Sequence, residues 1–66
     1  MFECRLKVIL AERRMKQREL AEKTGVNEHT LSALVSERRP PSMEVAYKIA
    51  HALDLNVMEI WIYKPE

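Results

Sequence analysis

The chain has 66 residues with one cysteine, and its 11 lysine and arginine residues against 10 aspartate and glutamate residues give a formal net charge of +1. A chain this short supports one small domain with a marginal core, and a single cysteine excludes an intramolecular disulfide. Because there is no run of about 20 apolar residues and no signal-type N-terminus, we expect one domain over residues 1–66 that is cytoplasmic and has no membrane span.

Positive charge is concentrated in the first part of the chain and again just after its middle. Residues 5–18 contain a single acidic residue, Glu12, among several cations, and a second cationic pair follows at Arg38 and Arg39. Exposed helix faces often carry such charges in any protein, so the charge pattern by itself indicates nucleic acid only weakly. The cations of the first cluster are Arg5, Lys7, Arg13, Arg14, Lys16 and Arg18.

The N-terminal residues predict a short strand and then a helix. Phe2 and Cys4 alternate with charged residues, as in a half-exposed strand over residues 2–5. The helix that follows is expected to run to about Arg14, because apolar residues recur at helical spacing. These apolar residues are Leu6, Ile9 and Leu10.

A second helix is expected to open at Lys16 and to end before Gly25, where glycine adopts a left-handed conformation at little cost. Its apolar face contains Leu20 and Ala21. Lysine is a poor N-cap, and Glu19 can compensate by accepting from the unpaired amide at the helix start.

A third helix is expected over residues 28–36, with Asn27 as its N-cap and Glu28 at the positive end of its dipole. Steps of about 100° per residue divide it into two sides. We expect Thr30, Leu31, Leu34 and Val35 on the buried side, and Glu28, His29, Ser32, Ala33 and Ser36 on the exposed side.

The rest of the chain predicts a turn, two helices and a strand. Residues 37–42 form the turn, since neither proline in it can donate inside a helix. Ser42 caps a long amphipathic helix that ends near Asp54 in the left-handed conformation, and Asn56 with Glu59 predicts a last helical turn. The β-branched and aromatic residues 60–64 predict a strand that pairs with residues 2–5.

Leu20-Ala21, Gly25-Val26, Leu31 and Leu34 stand at intervals that resemble the helix-turn-helix of the Cro and phage-repressor type, the XRE family of transcriptional regulators. The resemblance implies an all-α, five-helix repressor-like domain, with the helix-turn-helix at residues 17–36 and a short antiparallel two-stranded sheet formed by the chain ends. The sequence departs from the family where Lys16 replaces a serine or threonine, where Ser36-Glu37 replaces Asn-Gly, and where Asp54 replaces the glycine that ends a helix.

The family implies a sequence-specific regulator of transcription, a repressor, that binds double-stranded DNA with helix 28–36 in the major groove. The side chains expected to read bases are Glu28, His29, Ser32 and Ala33. Those expected to bind phosphate are Gln17, Asn27, Thr30, Ser36, Arg38 and Arg39. Two alternatives stay open. Glu28 can stabilise the helix dipole without contacting a base, and Thr30 can be buried instead of binding phosphate.

One helix reads few base pairs, so a homodimer on an inverted repeat is expected. The apolar tail is the expected dimer interface, formed by Ile60, Trp61, Ile62 and Tyr63. The alternative is that Trp61 and Tyr63 cover one end of the monomer core.

Catalysis is not expected, because the cysteine and the histidines lack metal-like spacing and one glycine cannot form a phosphate-binding loop. We expect neither a cofactor nor a metal. The main alternative function is an antitoxin-like protein-interaction module that also represses its own promoter, which the low net charge and Glu28 favour slightly.

Overall fold

The computed structural model describes residues 1–65 and consists of five helices and a two-stranded antiparallel sheet, which confirms the predicted fold class. Within this part of the chain, no helix is both long and apolar enough to cross a bilayer. The elements are β1 (Phe2–Cys4), α1 (Leu6–Glu12), α2 (Gln17–Thr24), α3 (Glu28–Val35), α4 (Met43–Leu53), α5 (Val57–Ile60) and β2 (Trp61–Tyr63).

The first helix ends two residues earlier than the sequence predicts. Arg14 adopts a positive φ of 54°, and the amide of Met15 donates to the carbonyl of Leu10 at 2.9 Å. This bond closes a Schellman turn that ends α1 without a glycine. The local sequence contains no glycine or proline there to mark the end.

The core lies where α1, α2, α3 and α4 meet, and α5 with the start of β2 closes one end of it. Apolar residues at helical spacing supply it, as the periodicity predicts. The fully buried large side chains are Leu6, Leu20, Leu31, Leu34, Ile49, Leu53 and Ile60.

Asp54 ends α4 in the left-handed conformation that the sequence predicts, with φ 57° and ψ 43°. Its amide donates to His51 at 3.1 Å, and the amide of Leu55 donates to Ala50 at 2.9 Å. These two bonds form a second Schellman turn. An L-residue is strained in this conformation, although aspartate tolerates it better than most.

Replacing Asp54 with glycine is therefore expected to stabilise the protein by about 1 kcal/mol, because glycine adopts this φ without strain. Urea denaturation followed by circular dichroism measures the change in the free energy of unfolding. The matched control is Gly25→Ala, since Gly25 has φ 76° and open space around an added Cβ, so only conformational strain changes. That variant should be destabilised, and an Asp54→Gly protein no more stable than wild type would contradict this expectation.

The sheet pairs the two ends of the described chain in the register Phe2↔Tyr63, Glu3↔Ile62 and Cys4↔Trp61. Alternation places Phe2, Cys4, Trp61 and Tyr63 on one face. The Cys4–Trp61 pair lies against the core, whereas the Phe2–Tyr63 pair extends beyond it.

This geometry corrects part of the predicted dimer interface. Ile60 is 0% exposed and Trp61 is 8% exposed, so both side chains fill the core of the monomer and placing them in an interface is wrong. The alternative, that the tail covers the core, is right for Trp61. Tyr63 remains 62% exposed, Ile62 is half-buried, and the Tyr63 ring lies 5.4 Å from that of Phe2.

Candidate nucleic-acid interface

A short turn fixes the angle between α2 and α3. The hydroxyl of Thr24 donates to the carbonyl of Leu20 at 2.8 Å and accepts from the amide of Val26 at 3.1 Å. The amide of Gly25 donates to Ala21 at 2.8 Å, and the φ of 76° at Gly25 reverses the chain. Because these bonds are local, α3 is held in one direction relative to α2.

The start of α3 is capped as the sequence predicts. The side-chain oxygen of Asn27 accepts from the amide of His29 at 2.6 Å, and Glu28 lies in the first turn. The NH₂ group of the Asn27 side chain remains as a donor at the protein surface. Asn27 can therefore cap the helix and bind a phosphate oxygen at the same time.

The exposed side of α3 is narrower than the helical projection predicts. Glu28 and His29 are exposed, Ser32 and Thr30 are half-buried, and Ser36 is exposed at the C-cap. Placing Ala33 on this side is wrong, because Ala33 is only 7% exposed.

Ala33 takes part in the turn after α3 through its carbonyl group. The carbonyl of Ala33 accepts from the amide of Arg38 at 2.9 Å and from the hydroxyl of Ser36 at 3.3 Å. The amide of Glu37 donates to Leu34 at 3.1 Å, which completes a Schellman turn that brings the chain back over the end of the helix. Because the methyl group of Ala33 is buried, Ala33 does not present a base-reading surface.

The helix α2 begins beside the start of α3, and Gln17 lies there half-buried. Glu19 accepts from the amide of Lys16 at 3.2 Å, which forms one half of a capping box. The other half needs an acceptor on the side chain at position 16, and the ammonium group of Lys16 has none. Gln17 and Glu28 line the same shallow depression, together with the cations Lys7, Lys16 and Arg18.

Arg18 is a candidate site residue that the sequence did not single out. It lines this depression and also the neighbouring one, which contains Asn27 and Glu28. In the sequence, this role is indicated only by the position of Arg18 directly after Gln17 in the first turn of α2, on the side that meets the start of α3. Arg18 therefore provides positive charge next to the acidic Glu28.

The other end of the exposed side of α3 is also cationic. Arg38 donates from Nε to the hydroxyl of Ser36 at 2.9 Å, while that hydroxyl donates to Ala33. Ser36 thus orients Arg38, whose terminal nitrogen atoms remain as donors. Arg39 is exposed in the same turn.

The ion pairs closer than 4.0 Å among residues 1–65 are Lys48–Glu44 and Lys64–Glu3, neither of which involves this surface. In the same part of the chain, no three histidine, cysteine, aspartate or glutamate residues come together to hold a metal ion. The surface thus combines short polar side chains along α3 with cations at both of its ends. Such a surface suits a polyanion whose bases are read by short-range hydrogen bonds.

Comparison with known proteins agrees with this geometry. The family model of the Cro/C1-type helix-turn-helix DNA-binding domain matches residues 5–66. An HTH-type transcriptional regulator of Archaeoglobus fulgidus is 36% identical over 62 residues, which cover 94% of this chain and 87% of the relative. One of Methanocaldococcus jannaschii is 32% identical over 62 residues, with 94% of each chain covered.

The tight glycine turn, the capped α3 and the cationic ends of its exposed side are the features expected of a helix-turn-helix that binds DNA. Both relatives span nearly the whole chain, so the similarity is not confined to the helix-turn-helix itself. The chain belongs to the Cro/C1-type helix-turn-helix family of DNA-binding transcriptional regulators.

Proposed function

We propose that residues 1–66 are one DNA-binding domain of a cytoplasmic repressor, which binds an inverted-repeat operator as a homodimer with α3 in the major groove. The observation that carries this proposal is the exposed side of α3, where Glu28, His29 and Ser32 lie between two cationic ends. Phosphate contacts at both ends would hold the helix against the groove, and the side chains between them would meet base edges.

Three side chains are proposed to read bases. His29 donates to the N7 or O6 acceptors of guanine, Glu28 accepts from the amino group of cytosine, and Ser32 can serve in either direction. The proposed phosphate ligands at the two ends are Gln17, Asn27, Thr30, Ser36, Arg38 and Arg39. We add Arg18 to this proposal because it lines both depressions beside Glu28. Thr30 is half-buried, so only its hydroxyl edge would reach a phosphate.

The proposed dimer interface is the end of the sheet that extends beyond the core. Phe2 is 60% exposed and Tyr63 is 62% exposed, and their rings form one apolar surface. A two-stranded sheet is marginal alone, and a second copy of the chain packed on this surface would stabilise it. Ile62 stays a proposed interface residue, although it pairs with Glu3 and therefore lies on the opposite face of the sheet from these two rings. Two-fold symmetry then requires half-site centres about 34 Å apart, or a multiple of that distance.

Selection of binding sites from random DNA, followed by fluorescence anisotropy on the selected site, tests the proposed function. We expect an inverted repeat, and we expect log affinity to fall linearly with log salt concentration, since phosphate contacts release counterions. Equal affinity for the isolated half-site and the joined site would exclude dimeric binding. A salt slope near zero would exclude DNA as the ligand.

A second candidate is the antitoxin-like interaction module, which the outer side of α4 favours. Met43 and Tyr47 are exposed there, at 79% and 64%, as on a surface that a protein partner covers. Co-expression with the neighbouring reading frame would test it. A stoichiometric complex that the Tyr47→Ser variant cannot form would support this function, whereas separate elution of the two proteins would exclude it for that partner.

A further inference from the structure

One hydrogen bond joins the sheet to the turn that ends α3. The Oε1 atom of Glu37 accepts from the backbone amide of Cys4 in β1 at 2.9 Å, across 33 positions of sequence. The amide of Arg5 donates to Ile60 at 2.8 Å, and further along the same pair of strands the amide of Lys64 donates to Met1 at 2.7 Å. Hydrogen-bonded positions alternate along an antiparallel pair, so Cys4 occupies a position whose amide faces away from β2. The Cys4 amide therefore lies on the outer edge of β1, where Glu37 caps it.

Glu37 has a defined backbone position at the end of α3. It has a positive φ of 61° and occupies the left-handed position of the Schellman turn that also contains Arg38. Arg14 and Asp54 occupy the equivalent position after α1 and α4, but among residues 1–65 neither of their side chains hydrogen-bonds to another element. Glu37 differs from them because its carboxylate reaches a different part of the fold.

Side-chain packing leaves space between the sheet and this turn. A groove of about 400 Å³ lies there, and its lining includes Cys4, Trp61, Leu34 and Glu37. A hydrogen bond across such a gap adds a directional restraint between its two walls where side-chain packing is incomplete. Burial raises the pKa of the Cys4 thiol, and the negative charge of the nearby Glu37 carboxylate raises it further. This effect is consistent with the short distance between the carboxylate and Cys4.

We propose that Glu37 is a positioning residue whose carboxylate ties β1 to the turn after α3 and thereby fixes the angle of α3 relative to the sheet. The consequence for DNA rests on the proposed function. If the sheet joins two copies, this angle also sets how the two α3 helices are presented to neighbouring half-sites. Glu37 itself is not proposed to touch DNA.

Amide hydrogen exchange tests the hydrogen bond between Glu37 and the Cys4 amide without any DNA. Three variants are compared with wild type: Glu37→Gly removes both the carboxylate and the positive-φ strain, Glu37→Gln keeps an oxygen acceptor, and Asp54→Gly removes the same strain elsewhere. We expect the Cys4 amide to exchange about tenfold faster in Glu37→Gly and to stay within about threefold of wild type in the other two. The amide of Leu31, bonded within α3, reports whether the whole protein has become less stable.

If the Cys4 amide exchanged equally fast in all four proteins, the proposed link between Glu37 and β1 would be wrong. Faster exchange at Cys4 and Leu31 together in Glu37→Gly would also contradict it, because that would reflect global unfolding.

The ratio of specific to non-specific DNA affinity tests the positioning role. Both Glu37 variants remove a negative charge near phosphates, which strengthens binding to specific and non-specific DNA alike. This effect cancels in the ratio of the two affinities, so a change in the ratio reports a change in the angle of α3. We expect the ratio to fall about tenfold in Glu37→Gly and to be kept in Glu37→Gln and Asp54→Gly. An unchanged ratio in Glu37→Gly would refute the positioning role. Wild-type protein without any sequence preference would refute the proposed function instead, and the exchange experiment would still decide whether the tie exists.

Discussion

Trp61→Ala is expected to abolish folding rather than to yield a folded monomer. The Trp61 side chain belongs to the core and is 8% exposed, and truncating a buried tryptophan costs about 3–5 kcal/mol. A chain of this size has a total stability of only about that amount from its core. Circular dichroism should therefore show loss of helical signal at 25 °C, at concentrations where wild type is folded.

Tyr63→Ala is the matched control for this prediction. Tyr63 lies on the same face of the sheet as Trp61, but it is 62% exposed and extends beyond the core. We expect this variant to keep its helical signal while its sedimentation changes from that of the proposed dimer towards that of a monomer. Trp61→Ala protein with wild-type stability and a changed oligomeric state would show that Trp61 is an interface residue after all.

His29→Ala is expected to lose about 1–3 kcal/mol of binding free energy on the selected DNA site and to relax the choice of base at one position. The hydrogen bond that caps α3 uses the backbone amide of His29, so truncating the side chain leaves the cap in place. Stability should therefore change little, and loss of affinity would reflect the DNA contact itself. Repeating the site selection with the variant, and measuring both affinities at one salt concentration, provides the data.

Arg38→Ala distinguishes base reading from phosphate binding. Its guanidinium group lies at the edge of the surface, oriented by Ser36, so the variant should lose affinity for all sequences about equally and show a smaller salt slope. If His29→Ala selected the same motif as wild type, or if Arg38→Ala changed the motif, the proposed division between the two kinds of contact would be wrong.

Local sequence signals predicted the elements of this fold well. Gly25 and Asp54 end their helices in the left-handed conformation, Ser42 accepts from the amide of Val45 at 3.2 Å, and Glu59 accepts from the amide of Asn56 at 2.7 Å. Each of these signals acts within a few residues, so the chemistry that creates it is visible in the sequence. The prediction is wrong where no such signal is present: nothing local marks the end of α1, which ends at Glu12 and not near Arg14.

The sequence by itself determined the helix-turn-helix and the polar character of α3, because these depend on local capping and on the angle of each side chain around one helix axis. The family followed from the resemblance of that motif to known regulators. Only the tertiary structure decided that Ala33 is covered, that Trp61 is in the core while Tyr63 is outside it, and that Glu37 reaches Cys4. The physical reason is that burial and contact depend on which other parts of the chain pack against a residue. Residues on the same face of a helix or strand share a direction, but they do not share the neighbours that remove them from water.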